Sequence, residues 1–244
     1  MSATVHEGAS RTTSLGIKGA YDAAFKAEAM TDYAVMDALE ARFGYRVDRE
    51  RLEAAARVLA CPLKKNPPNW QHGRLLYALG RHYLARERGK QTWLDIGTAK
   101  GFSACVMSWA MEAEGFPGDI HSYDIIAPCS REPRNSVEDG RTVHEFTDPF
   151  RARDVFLAFG QAASMASFPT DARINFAFVD GSHTQAGVRA DIALVTARQC
   201  PGDVIVFDDT HVPGVRAAVM ETAGYDFEVI KLLPQRHYAI AVRQ

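Results

Sequence analysis

Trp93-Leu94-Asp95-Ile96-Gly97-Thr98-Ala99-Lys100-Gly101-Phe102-Ser103 is a short apolar run that breaks into a glycine-bearing turn and then enters a helical pattern. It predicts a strand, a tight turn and a helix. Leu94 and Ile96 suit a parallel strand buried on both faces, while Gly97 and Gly101 permit positive φ and let a ligand approach the backbone. In an open α/β sheet, ligands bind outside the carboxyl ends of the strands, where the next helix offers free N–H groups. A ligand is therefore expected against this turn. Its spacing, G-x-x-x-G, differs from the G-x-G-x-x-G dinucleotide fingerprint.

The rest of the 244 residues bounds what that ligand serves. The length suits one α/β domain with an N-terminal extension. With 28 Lys and Arg against 30 Asp and Glu, the formal charge of -2 carries no signature of a nucleic-acid or anionic-membrane binder. A small, roughly neutral substrate is expected. Cys61, Cys105, Cys129 and Cys200 form no C-x-x-C pair, which argues against a zinc knuckle or disulfide framework and for packing residues in a reducing compartment. No apolar run approaches the roughly 18 residues of a membrane span, and Met1 to Ser14 lack a signal-peptide core, so a cytoplasmic protein is expected.

Along the chain, residues 1–20 read as a flexible arm and 21–68 as accessory helices. The stripe Tyr21, Phe25, Tyr33, Met36, Leu39 and Phe43 predicts one helix ended by Gly44, and Asp48 caps a second one carrying Leu52, Ala55, Ala56 and Leu59. Lys64 to Asn69 is a polar linker. The principal domain spans 69–244. It opens with a helix over Gln71 to Arg88 and then alternates strands with helices. Ile120 to Ile126 is the second strand, Val155 to Gly160 the third, Ile174 to Asp180 the fourth and Val204 to Phe207 the fifth, with a closing hairpin around Pro234. Residues 127–153, with Arg131, Arg134 and Arg141, read as a charged insertion or lid.

Two polar turns carry the chemistry. Asp180-Gly181-Ser182-His183 follows the fourth strand and Asp208-Asp209-Thr210-His211 the fifth, so neighbouring parallel strands deliver both to one sheet edge. Carboxylates this close repel unless a cation or shared proton intervenes, and hard oxygen donors suit Mg²⁺.

The segment Leu94 to Ala104 resembles motif I of the class I S-adenosylmethionine (SAM) dependent methyltransferases, and its Gly-Phe-Ser ending is similar to that of the small-molecule O-methyltransferases. The resemblance runs from about Gln71 to the C-terminus. It implies a Rossmann-like α/β fold with a seven-stranded, mostly parallel sheet whose last strand is antiparallel. It also implies SAM contacts at Asp95, Gly97, Thr98, Gly101, Ser103, Asp124, Gln161 and Asp180, with Asp124 on the ribose and Gln161 on the adenine. The two polar turns look like those of metal-dependent enzymes acting on catechols and macrolide sugars. That likeness implies Asp180, Asp208 and Asp209 as ligands of Mg²⁺, and His183, with Asp180, as catalytic residues, His183 being the base. The catechol enzymes carry Asp-Asn where Asp208-Asp209 stands here, and a lysine near Ser182, His183 and Thr184; a sugar or other hydroxyl is thereby favoured.

Two other readings remain open at this point. His183, Asp208 or Asp209, and His211 make a two-His-one-carboxylate set for Fe(II), as in oxygenases. Alternatively, the chain binds SAM without catalysis. In either case the N-terminal helices are the expected surface for any homo-oligomer.

Overall fold

The computed structural model describes residues 19–60, 68–87, 89–130, 141–162, 168–169 and 171–244. Seven strands, β1 (Gln91–Ile96), β2 (Gly118–Asp124), β3 (Phe156–Gln161), β4 (Phe176–Val179), β5 (Val204–Phe207), β6 (Tyr225–Leu233) and β7 (Arg236–Arg243), form one sheet in the order β3-β2-β1-β4-β5-β7-β6. The first five pair in parallel, and β7 runs antiparallel to both of its neighbours. From β1 the order runs outward to β2 and β3 on one side and to β4 and β5 on the other. The loops after β1 and β4 thus flank the switch point at which such sheets bind ligands.

The period-2 alternation of buried residues builds two cores. Trp93, Phe176, Phe178, Val204 and Val206 face the helices α4 (Gln71–Leu84) and α5 (Phe102–Glu114). Leu94, Ile96, Ala177, Val179, Ile205 and Phe207 face α7 (Gln185–Thr196) and α8 (Pro213–Met220). Burial on both faces explains why β4 and β5 read as continuous apolar runs. Leu52, Ala55, Met36 and Phe25 of the N-terminal helices join the first core. No helix among the described residues is long and apolar enough to cross a membrane.

The structure departs from the sequence reading in several places. The stripe from Tyr21 to Phe43 is two helices, α1 (19–29) and α2 (Ala34–Phe43), so three accessory helices precede α4, counting α3 (Arg49–Leu59). The chain breaks where the Thr31 hydroxyl donates to the Ala27 carbonyl and Tyr33 turns back to donate to Glu28, at 2.8 and 2.7 Å. Strand β2 ends at Asp124, because that carboxylate accepts the Ile126 N–H at 3.0 Å and turns the chain; Ile125 is exposed. Of the four cysteines expected to pack, Cys105 is buried, Cys129 and Cys200 are exposed, and Cys61 lies outside the described residues.

Arg131 and Arg134 lie outside the described residues, as do 1–18 of the expected arm and 61–67 of the linker. The described part of the 127–153 segment includes α6 (Val143–Thr147), closed by a Thr142/Glu145 capping box and anchored by buried Phe146, Thr147 and Ala152.

Candidate functional site

The turn after β1 is shaped by close approach. Gly97 has φ of 105°, and a Cβ there would overlap the Asp180 carbonyl, whose carbon would stand 2.7 Å away. The N–H groups of Gly97 and Thr98 donate to the Tyr123 carbonyl at 2.8 and 3.2 Å, and that of Asp180 donates to the Ile96 carbonyl at 2.8 Å. The loops after β1, β2 and β4 are thus bonded into one unit.

Behind this turn lies a buried polar network. Asp95 is fully buried and accepts the Ser103 and Ser122 hydroxyls at 2.9 and 2.5 Å, while the Thr98 and Ser122 hydroxyls share a bond of 2.6 Å. Burial pushes the Asp95 carboxyl up to about 6, against the pull of those two serines. Asp95, Thr98 and Ser103 therefore brace the turn from inside. Asp124 stands at its open side, half-buried, with one oxygen accepting the Ala99 N–H at 2.8 Å. A carboxylate has about four acceptor positions, so two backbone bonds leave room for a diol. Gln161 is exposed at the end of β3, and its amide donates to the Ile125 carbonyl at 3.2 Å.

At the neighbouring edge, Asp180, His183 and Asp209 each bring one ligand atom within 4.8 Å of the others. His183 Nε2 is 3.1 Å from Asp209 Oδ2. Asp209 has φ of 52°, a left-handed conformation that Asp tolerates better than most residues and that turns its carboxylate away from that of Asp208. Asp208, expected beside Asp180 and Asp209 as a ligand, is not brought into this group. It is buried, with Oδ1 accepting the Asp209 N–H at 2.6 Å and Oδ2 facing Arg236 at 3.6 Å. His211 reaches Asp209 only at 3.7 Å and is not part of the group either.

Sequence reading missed Arg236, at the head of β7. Its Nη1 is 3.5 Å from Asp209 Oδ1, and the field of Asp208, Asp209 and Asp180 raises its pKa against its own burial. Topology held the clue, because a last strand running antiparallel starts at the edge where the parallel strands end.

Comparison with known proteins agrees with this geometry. Residues 94–210 match the family model described as a methyltransferase domain, a span that opens in β1 and closes just beyond Asp209. That span of the chain is similar to a methyltransferase domain. Its fold is similar to that of a putative O-methyltransferase from Klebsiella pneumoniae, at 16% identity and a TM-score of 0.55 over 88% of this chain and 92% of that one. It is similar to an O-methyltransferase from Bacillus cereus solved with SAH, at 15% identity and 0.55 over 88% and 93%. It also resembles TomG, an O-methyltransferase from Streptomyces achromogenes involved in tomaymycin synthesis and solved with SAM, at 18% and 0.56 over 88% and 100%. No curated protein matches the sequence.

The residues at this edge fit both groups that the likeness implies, SAM and a divalent cation. A Cβ at Gly101 would collide with the Thr147 side chain of α6, so glycine is required there, and beside the turn Asp124 keeps acceptor positions that suit a ribose diol. Two carboxylates and an imidazole converging within 4.8 Å are a donor set for a hard or borderline divalent cation.

Proposed function

We propose that this domain transfers a methyl group from SAM to a hydroxyl of a small molecule, such as a sugar or secondary metabolite, with Mg²⁺ assisting. The observation that carries the reading is the contact of Gly97 with the Asp180 backbone, which sets a nucleotide-binding turn directly beside a carboxylate and imidazole edge. In this reading Asp124 accepts the ribose hydroxyls, Gln161 meets the adenine, and Asp180 and Asp209 hold the cation. His183 takes the proton of the acceptor hydroxyl at Nδ1, with Asp209 orienting the imidazole through Nε2. A bound divalent cation would hold the acceptor oxygen and lower its pKa. Fixing donor and acceptor in line supplies about 7 to 11 kcal/mol of such barriers. The reading places the protein in the cytoplasm, acting on neither nucleic acid nor membrane, with any homo-oligomer formed through the N-terminal helices.

A second reading, favoured by the 4.8 Å convergence, makes His183 a third cation ligand. One series of measurements separates them. SAM should bind the purified protein by calorimetry, and Asp124→Ala should weaken it; NAD binding in its place would sink the assignment. Turnover should vanish with chelator and return with Mg²⁺. His183→Ala should lower turnover about 10² to 10⁴-fold while leaving Mn²⁺ affinity intact if His183 is the base. If it is a ligand, Mn²⁺ affinity falls as well.

A further inference from the structure

Arg236 stands where three carboxylates meet. Its Nη1 lies between Asp208 Oδ2 and Asp209 Oδ1, at 3.6 and 3.5 Å, and Asp180 adds to the negative field around it. The side chain is 23% exposed, so its charge is only partly screened. The field of Arg236 also reaches Glu28 and Tyr33. Two residues further along β7 is the buried Tyr238, whose hydroxyl donates to Asn69 at 3.4 Å.

Two consequences follow from this placement. One guanidinium against three carboxylates leaves the charge that a single divalent cation neutralises. Through the one nitrogen Nη1 the guanidinium also faces both members of the Asp208-Asp209 turn, beside the left-handed Asp209 whose other oxygen meets His183.

We propose that Arg236 is a positioning residue that fixes Asp209 toward His183 and limits this edge to one divalent cation of moderate affinity. The proposal rests on the cation reading above.

The test compares wild type, Arg236→Gln and Arg236→Lys in the full chain, using Mn²⁺ titration by electron paramagnetic resonance, Tb³⁺ luminescence, SAM calorimetry and turnover. Removing a charge this close to a ligand carboxylate should tighten Mn²⁺ binding about tenfold in Arg236→Gln, and Tb³⁺ binding by more, because the added charge of the ion multiplies the effect. Turnover should fall at least about tenfold with KM for SAM unchanged. Arg236→Lys keeps the charge but carries it on a flexible stem that does not fix it at the place of Nη1, so it should retain Mn²⁺ affinity to within about twofold and still lose turnover. If Arg236→Gln does not fold, the lysine variant decides alone.

Unchanged or weaker Mn²⁺ binding in Arg236→Gln, or wild-type turnover in Arg236→Lys, overturns the inference while the methyltransferase reading stands. A wild type that binds SAM but no Mn²⁺ overturns the inference together with the cation reading. A wild type that binds neither overturns the function itself.

Discussion

Asp95 holds a carboxyl with no exposure under the turn proposed to bind SAM, and this should be visible in stability. Its folded pKa is pushed from 3.8 to about 6, so the folded protein holds that proton more tightly than the unfolded chain. The group's contribution is complete below about pH 4, declines as pH rises, and is lost above about pH 6. At neutral pH the buried charge is a cost of order 3 kcal/mol. Asp95→Asn should therefore be more stable than wild type at pH 7.5, by about 2 to 3 kcal/mol in urea midpoint titrations, and the difference should shrink toward pH 4.5. A difference independent of pH would mean that the serine hydroxyls, not desolvation, govern Asp95. Its type and spacing marked Asp95 as part of the motif, but only the fold shows it facing inward, because Ser103 and Ser122 come from elements eight and 27 positions away.

The turn between β1 and α5 joins two elements so closely that it tolerates no side chain at Gly97. Gly97→Ala must displace the Asp180 carbonyl as well as accept positive φ, and it should lower stability by more than about 2 kcal/mol and SAM affinity at least a hundredfold. Gly115→Ala is the control, since φ there is 63° but nothing lies within 4 Å. That variant should lose about 1 kcal/mol and keep its affinity, as expected from left-handed strain alone. Equal losses in both would show that backbone conformation, not proximity to Asp180, makes Gly97 necessary. At this scale the sequence was readable. β5 was located to the residue by its apolar run, and Gly44 and Asp48 marked helix ends correctly. The bend between α1 and α2 was not readable, since apolar spacing continues across it and its cause is a bond from Tyr33 to Glu28. The split roles of Asp208 and Asp209 were equally hidden, because adjacent identical residues differ only in φ and in their distant partner on β7.

Across the whole molecule, the accessory helices are joined to the α/β domain by one buried charge cluster and one surface ion pair. Arg74 of α4 has no exposure and donates to Glu40 and Asp37 of α2, with the Nε bond to Glu40 at 3.0 Å, while Arg42 of α2 pairs with Glu228 of β6 at 2.7 Å. Removing one partner of a buried pair costs about 3 to 5 kcal/mol, because the other charge is left uncompensated. Glu40→Gln should lose about 3 kcal/mol and still unfold in one transition, with far-UV circular dichroism and the fluorescence of Trp70, Trp93 and Trp109 coinciding. Separated transitions would show that the helices are an independent unit.

Lys100 carries that union into the donor turn itself. Its ammonium donates at 3.1 Å to the Val58 carbonyl near the end of α3 and lies 5.0 Å from the centre of the Phe146 ring. The turn therefore cannot be transplanted with its strand and helix alone, and the N-terminal helices are not an exchangeable cassette. A chimera, or a diverging lineage, that remodels α3 alters the support of the β1–α5 turn in the same step. On the proposed reading, a change in α3 is also a change in the support of the turn that takes the donor.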